Sequence, residues 1–149
     1  MKRFAASIEI KAPPEAVWRV LADIGGWPGW DPNTDRAEGL MEKGRTPSFA
    51  FTYAPGRNLQ VEITAIDEPF LLEWTGGNEG LKGVRTHRIA PAGENSLVEV
   101  SQEFSGSAVQ TVHLPDLDKA VGEFCAALKK RVETGSSWKE ATPEMLEQD

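Results

Sequence analysis

The sequence predicts an α+β fold in which an antiparallel sheet is closed by a long C-terminal helix. Three observations carry this. A first segment with a period of two is followed at once by an amphipathic helix. From about Asp35 to Gly106 the periodic segments alternate as strands do. The last periodic segment, PDLDKAVGEFCAALKKRVE, carries a helical stripe instead. One curved antiparallel sheet cannot bury its own concave face, and the terminal helix is the element available to cover it.

In chain order, FAASIEIKA places Phe4, Ala6, Ile8 and Ile10 two apart, opposite Ser7, Glu9 and Lys11, as a half-buried strand does. Pro13-Pro14 stops that strand and opens a helix, where proline is tolerated in the first turn. Glu15 suits the positive end of the helix dipole. Val17, Val20, Leu21 and Ile24 form its stripe, Trp18 widens it, and Gly25-Gly26 ends it. Next comes GGWPGWDPN, two tryptophans among turn-forming residues.

TDRAEGLMEK (34–43) is the least regular of the strand segments. RTPSFAFTYA sets Phe49, Phe51 and Tyr53 on one face, and Pro55-Gly56 turns the chain. NLQVEITAID sets Leu59, Val61, Ile63 and Ala65 on one face, and Pro69 breaks it. FLLEWTG is followed by a glycine-rich turn at GGNEG. VRTHRIA and SLVEVSQEF flank APAGEN, a hairpin connection. In the last strand Val98, Val100, Gln102 and Phe104 share a face. The final helix carries Leu117, Val121, Phe124, Cys125, Leu128 and Val132 on one stripe, with Lys129, Lys130 and Arg131 in its last turns and Gly135 as its stop. Pro115 either begins this helix or kinks a longer one. These elements make one domain over residues 1–135 and a C-terminal tail over 136–149, where Trp138 has no periodic company.

The chain has 149 residues, 40% of them hydrophobic, enough for a single core. Sixteen Lys and Arg against 23 Asp and Glu leave a formal charge of −7. A basic footprint for nucleic acid is missing, and the balance does not suit an anionic membrane surface. The expected partner is a small hydrophobic molecule, with no nucleic acid and no stable membrane insertion. The expected assembly is a monomer or homodimer. The start, MKRFAASIEIKAPP, lacks an apolar signal region and Cys125 is the sole cysteine, so the expected location is the cytoplasm. Cys125, His87 and His113 have no metal-ligand spacing, and no phosphate loop or dinucleotide fingerprint is present. Neither a cofactor nor a metal is expected.

APPEAVWRVLADIGGWPGWDPN (12–33) and GVRTHRIAPAGENSLVEVSQEFSG, in this order of elements, resemble the START-related (SRPBCC) superfamily, in its bacterial polyketide cyclase/dehydrase-like branch. The resemblance runs over roughly residues 3 to 133. It implies a helix-grip fold: a curved seven-stranded antiparallel sheet wrapped around the long C-terminal helix, with two short helices after the first strand. It also implies a deep apolar cavity between sheet and helix, with Trp27 and Trp30 on or near the second short helix. Relatives bind lipids, polyketides, sterols or hormones, and some catalyse cyclisation or dehydration, so fold alone leaves function open.

Trp27 and Trp30 then have two readings. Either they plug the fold as packing mass, or an indole lines the cavity and offers a ligand its flat face and N–H. Strand alternation and the helical stripe nominate Phe49, Phe51, Tyr53, Ile63, Trp74, His87, Val100, Gln102 and Phe104 on the sheet, and Val121, Phe124 and Leu128 on the helix, as ligand-binding residues. Each is equally eligible as plain core. His87 shares a strand face with Arg85 and Ile89, where it either satisfies a local hydrogen bond or reaches the cavity. Gln102 is a buried amide in need of a partner, with Arg85 or His87 across the hairpin as candidates. Many members of the resembled family carry Glu at that position, so Gln102 removes one acid/base group. Asp31 reads as a turn cap and Glu73 as a solvent-facing strand residue. Cys125 reads as a small buried hydrophobe.

The expectation is therefore a binding module rather than an enzyme. Were it an enzyme, it would be of the cyclase/dehydratase type, with His87, Tyr53 and Arg85 as catalytic candidates. A third alternative is a co-chaperone-like protein-interaction module.

Overall fold

A computed structural model of the chain describes residues 1–111 and 117–135. His113, Pro115 and Trp138, and with them the expectations for the start of the last helix and for the tail, lie outside the described residues.

Strand β1 (Lys2–Ile10) leads into helix α1 (Pro14–Ala22), a 3-10 turn (Ile24–Gly26) and the short helix α2 (Trp27–Trp30). Strands β2 (Thr34–Glu38), β3 (Ser48–Phe51), β4 (Leu59–Gln60), β5 (Glu62–Asp67), β6 (Leu71–Gly77), β7 (Lys82–Ala92) and β8 (Asn95–Ser105) follow, then helix α3 (Leu117–Thr134). This is the α+β, helix-grip arrangement the sequence predicts. Helix α1 stops at Ala22, two residues before the expected stripe ends, because Ile24 has turned into the tighter 3-10 segment. The tryptophans occupy the second short helix, as the resemblance implies.

The predicted seven-stranded sheet resolves into eight antiparallel strands in two sheets, β1-β8-β7-β6-β5 and β2-β3-β4. The division falls within the segment expected as one strand, NLQVEITAID (58–67). Its first residues pair with β3 and its later ones with β6. Between them the Val61 N–H donates to Pro47 O at 3.1 Å, so the change of partners takes up the curvature. A bulge between Ile63 and Ala65 then shifts the face. Ile66, opposite Leu72, packs on the core where Ala65 was expected to. A one-residue slip exchanges the two faces of a strand, which alternation alone cannot foresee.

The registers lay the inward side chains in rows across the large sheet. One row runs Ile63, Trp74, Arg85, Gln102, Phe4. The next runs Ile66, Leu72, His87, Val100, Ala6. On the other side of the first row, Gly76 faces Gly83, which faces Phe104. Helix α3 lies across these rows with Leu117, Val121, Phe124, Cys125 and Leu128 buried, the predicted stripe. Its C-terminal turns are tied to β1 by Lys129 Nζ donating to Glu9 O at 3.0 Å and by the Lys11 N–H donating to a Glu133 carboxylate oxygen at 2.7 Å.

Candidate functional site

Under the middle of α3 the interior is closed. Trp27 has no exposed surface and stands among Trp30, Phe49, Trp74, His87 and Phe124, with ring centroids 4.9 to 5.9 Å away. Its indole N–H donates to Leu21 O at 3.0 Å, one of the carbonyls left over at the end of α1. The donor that could have addressed a ligand therefore terminates a helix. Trp30 closes the same cluster against Phe124 at 5.2 Å. Of the two readings of the tryptophans, the geometry favours the plug.

The hollow lies toward the first turn of α3. A cavity of about 520 Å³ opens there, with Phe51, Tyr53, Leu59, Trp74, Phe104 and Leu117 supplying apolar wall. Gly76 and Gly83, paired with each other in the inward row that ends at Phe104, both line it, and an added β-carbon on Gly76 would stand 3.0 Å from Val61 Cγ1. A β-carbon on Gly83 would stand 3.1 Å from Gln102 Nε2 and 3.3 Å from the Phe104 ring, so any larger side chain there enters the cavity. Pro55, Arg57, Gln60, Gly77 and Asn78 are the exposed lining residues and mark the mouth, whereas Phe51, Trp74, Arg85 and Leu117 are the buried ones and mark its inner end.

The predicted site residues therefore divide. Phe51, Tyr53, Trp74, Gln102, Phe104 and Arg85 come together around the cavity. Trp27, Trp30, Phe49, Ile63, His87, Val100, Val121, Phe124 and Leu128 do not line it; they form the packed core behind it. Both groups face inward, and alternation reads only the face. Gly76, at the edge of the predicted glycine-rich turn, and Gly83, just before the predicted strand VRTHRIA, also line the cavity and were not among the predicted site residues. A glycine within an alternating strand face was the available signal, because it marks close approach by another group.

His87 is fully buried. Its Nδ1 lies 3.2 Å from Leu72 O, and Arg85 Nε–H donates to its Nε2 at 3.0 Å. Those partners assign the neutral tautomer with the proton on Nδ1. Burial, and then the adjacent Arg85 charge, hold the imidazole well below its ordinary pKa. The ring has no free lone pair for proton transfer and instead orients Arg85. The Arg85 Cζ sits 4.6 Å from the Phe124 ring centroid, 5.7 Å from Trp74 and 5.9 Å from Trp27, a desolvated cation over aromatic faces. Gln102 is the cross-strand neighbour of Arg85, but the Arg85 Nε bond goes to His87.

Tyr53 stacks on Phe51 at 5.0 Å, and desolvation pushes its phenol up to about 12 although the Arg85 charge pulls the other way. Asp31 is buried, as a turn cap: Thr34 Oγ1 donates to it at 2.6 Å and the Asn33 N–H at 3.2 Å. Burial raises its carboxyl pKa against those hydrogen bonds. Glu73 is half-buried and accepts from Thr64 Oγ1 at 2.8 Å, instead of facing solvent alone. Cys125 is buried on α3, its thiol pushed up to about 11. Among the described residues no group of His, Cys, Asp and Glu could hold a metal ion, and no helix is long and apolar enough to cross a membrane.

With this geometry in place, residues 1–133 match the protein family described as polyketide cyclase/dehydrase and lipid transport. Among solved structures, DynU16, from the dynemicin biosynthetic locus, is similar with TM-score 0.70 and 16% identity over 91% of this chain. The chain spans about half of DynU16, 49% of its length. A START superfamily protein from Mycobacterium smegmatis is similar with TM-score 0.68 and 17% identity, over 90% of this chain and 99% of that one. The Aha1 dimer from Colwellia psychrerythraea is similar with TM-score 0.68 and 19% identity, over 91% of this chain and 98% of that one. Such identities establish a shared fold and nothing finer. No curated protein matches the chain.

Proposed function

The chain belongs to the polyketide cyclase/dehydrase and lipid transport family, and from that premise we propose that it binds a small hydrophobic or aromatic molecule in the cavity beside the first turn of α3. The observation that carries this is the hollow lined by Phe51, Tyr53, Trp74, Phe104 and Leu117 beside an otherwise packed interior, with Gly76 and Gly83 in its wall. Its volume of about 520 Å³ falls within the roughly 300–1,000 Å³ typical of ligand sites. Unfilled apolar volume lowers stability, so a sheet that keeps two inward glycines side by side is best accounted for by an occupant.

The two alternatives have less behind them. A cyclase or dehydratase needs a proton-transfer group, and both ring nitrogens of His87 are engaged. Tyr53, with its phenol pushed up to about 12, is a hydrogen-bond donor at neutral pH and not a base. A protein-interaction module calls for a contiguous apolar patch, whereas the large exposed hydrophobics among the described residues, Met1, Leu40, Phe70 and Leu97, belong to separate segments.

The test is titration with the neutral fluorophore N-phenyl-1-naphthylamine, in the native chain and in Gly83→Leu. Saturable enhancement in the native protein with a raised melting temperature, both lost in Gly83→Leu, is the expected result. Equal enhancement in the two proteins, or none in the native one, overturns the proposal.

A further inference from the structure

Arg85 is 5% exposed, yet among the described residues no carboxylate lies within ion-pair distance of it; the ion pairs present belong to Arg3, Arg36, Arg45 and Lys129. A desolvated cation without a counter-charge is costly. The aromatic faces of Phe124, Trp74 and Trp27 offset part of that cost. The buried acid that feels the Arg85 charge, Asp31, has its carboxylate oxygens turned to Thr34 and the Asn33 backbone. The cross-strand neighbour on the same face is Gln102, a neutral amide where a carboxylate would have closed the pair.

Three further features point the guanidinium at the cavity. Arg85 and Gln102 both line it. The Arg85 Nε is engaged by His87, which fixes the plane of the fork and turns its terminal N–H groups toward the Tyr53 hydroxyl, a neutral partner that itself lines the cavity and leaves the charge unbalanced. The residues at the mouth are exposed while Arg85 is among the buried ones at the inner end, so a ligand meets it last.

We propose that the ligand is an amphipathic anion, a carboxylate on an apolar or aromatic body, which enters head-first and places its oxygens on the Arg85 fork beside Gln102. This rests on the reading of the cavity as a ligand site and adds the charge and orientation of its occupant. A planar fork matches two oxygens of one carbon, and burial strengthens the pairing relative to water. The apolar body then lies along Phe51, Tyr53, Leu59 and Phe104.

The experiment compares decanoate with 1-decanol at pH 7.5, as competitors for bound N-phenyl-1-naphthylamine. The two share a chain and differ in the head. A charge-assisted hydrogen-bonded pair predicts that decanoate competes at least roughly tenfold more strongly. In Gln102→Glu, which supplies an internal carboxylate opposite Arg85, that ratio should fall to within about twofold while the melting temperature holds or rises. Arg85→Gln should lower the ratio in the same way. Because the native comparison needs no variant, a poorly folding Arg85→Gln leaves the result readable. Equal competition by the two heads in the native protein overturns the anion assignment and leaves the hydrophobic site standing. Failure of both competitors, or of the fluorophore itself, overturns the site and the assignment together. A decanoate preference that persists in Gln102→Glu and in folded Arg85→Gln removes Arg85 as its origin and overturns the assignment.

Discussion

At the scale of single residues, the unexpected assignments concern Trp27 and His87. Trp27 combines full burial, five aromatic neighbours and a hydrogen bond to Leu21 O. Trp27→Ala should therefore lower unfolding free energy by about 3–5 kcal/mol, read by urea denaturation. A loss near zero with impaired probe binding would return the residue to the cavity wall. His87 sets a pH dependence whose sign follows from its depressed pKa. The folded state excludes a proton that the unfolded chain takes up near pH 6.5, the ordinary histidine value. Stability is thus fully present above that pH and declines as pH falls below it, by up to about 1.4 kcal/mol per unit for one proton. Asp31, with a raised pKa, acts in the opposite sense nearer the carboxylate range, where protonation favours the fold. Comparing the native chain with His87→Gln from pH 7.5 to 5.5 separates the two, since Asp31 is common to both. The native melting temperature should fall the more steeply, and parallel profiles would mean that His87 protonates freely in the fold. Cys125, 2% exposed with its thiol pushed up to about 11, should react with iodoacetamide only after unfolding. Rapid labelling of the native protein would contradict its place on the buried stripe.

At the scale of elements, turn geometry and helix propensity make opposite demands on glycine. Gly77 has φ +91° at the end of β6, and a β-carbon there would run into the Leu81 carbonyl oxygen. Gly77→Ala should destabilise by about 1–3 kcal/mol, through left-handed backbone strain together with displacement of the β6–β7 turn. Gly122 sits inside α3 with nothing within 4 Å of an added β-carbon. Gly122→Ala should stabilise by about 0.5–1 kcal/mol, the helix-propensity difference. Chemical denaturation of both variants checks the pair, and a destabilised Gly122→Ala would mean that the open space beside α3 is occupied in solution. The same elements explain where the site lies. The α1–α2 corner drives its two indoles against Phe124 in the middle of α3, and the cavity lies to one side of them, beside the buried Leu117.

At the scale of the whole molecule, the sheet grips a helix over a core that is solid at one end and hollow at the other. A ligand that enters the hollow binds only the folded chain and must raise its melting temperature. Gly83→Leu is expected to remove that rise by filling the hollow with the protein's own atoms. Retention of the ligand-induced rise in that variant would place binding elsewhere. The helix stripe, the hairpin between β7 and β8 and the inward faces of Phe49, Phe51, Trp74, Arg85 and His87 were all legible from period and turn chemistry. The break at Val61 and the bulge before Ala65 were not, because both depend on partner strands distant in the chain. For the site, alternation found both the residues that wall the cavity and those that back it, and had no means of telling them apart.

Local periodicity thus determined which side chains point inward, the order of the elements and the identity of the covering helix, since each depends on neighbours a few positions away along the chain. Where the interior is full and where it is empty was decided only in three dimensions. That follows from the cross-strand register, which sets Gly76 beside Gly83 and leaves Arg85 facing a neutral amide. Volume and charge balance are sums over residues brought together from β6, β7, β8 and α3, and no single stretch of the chain contains them.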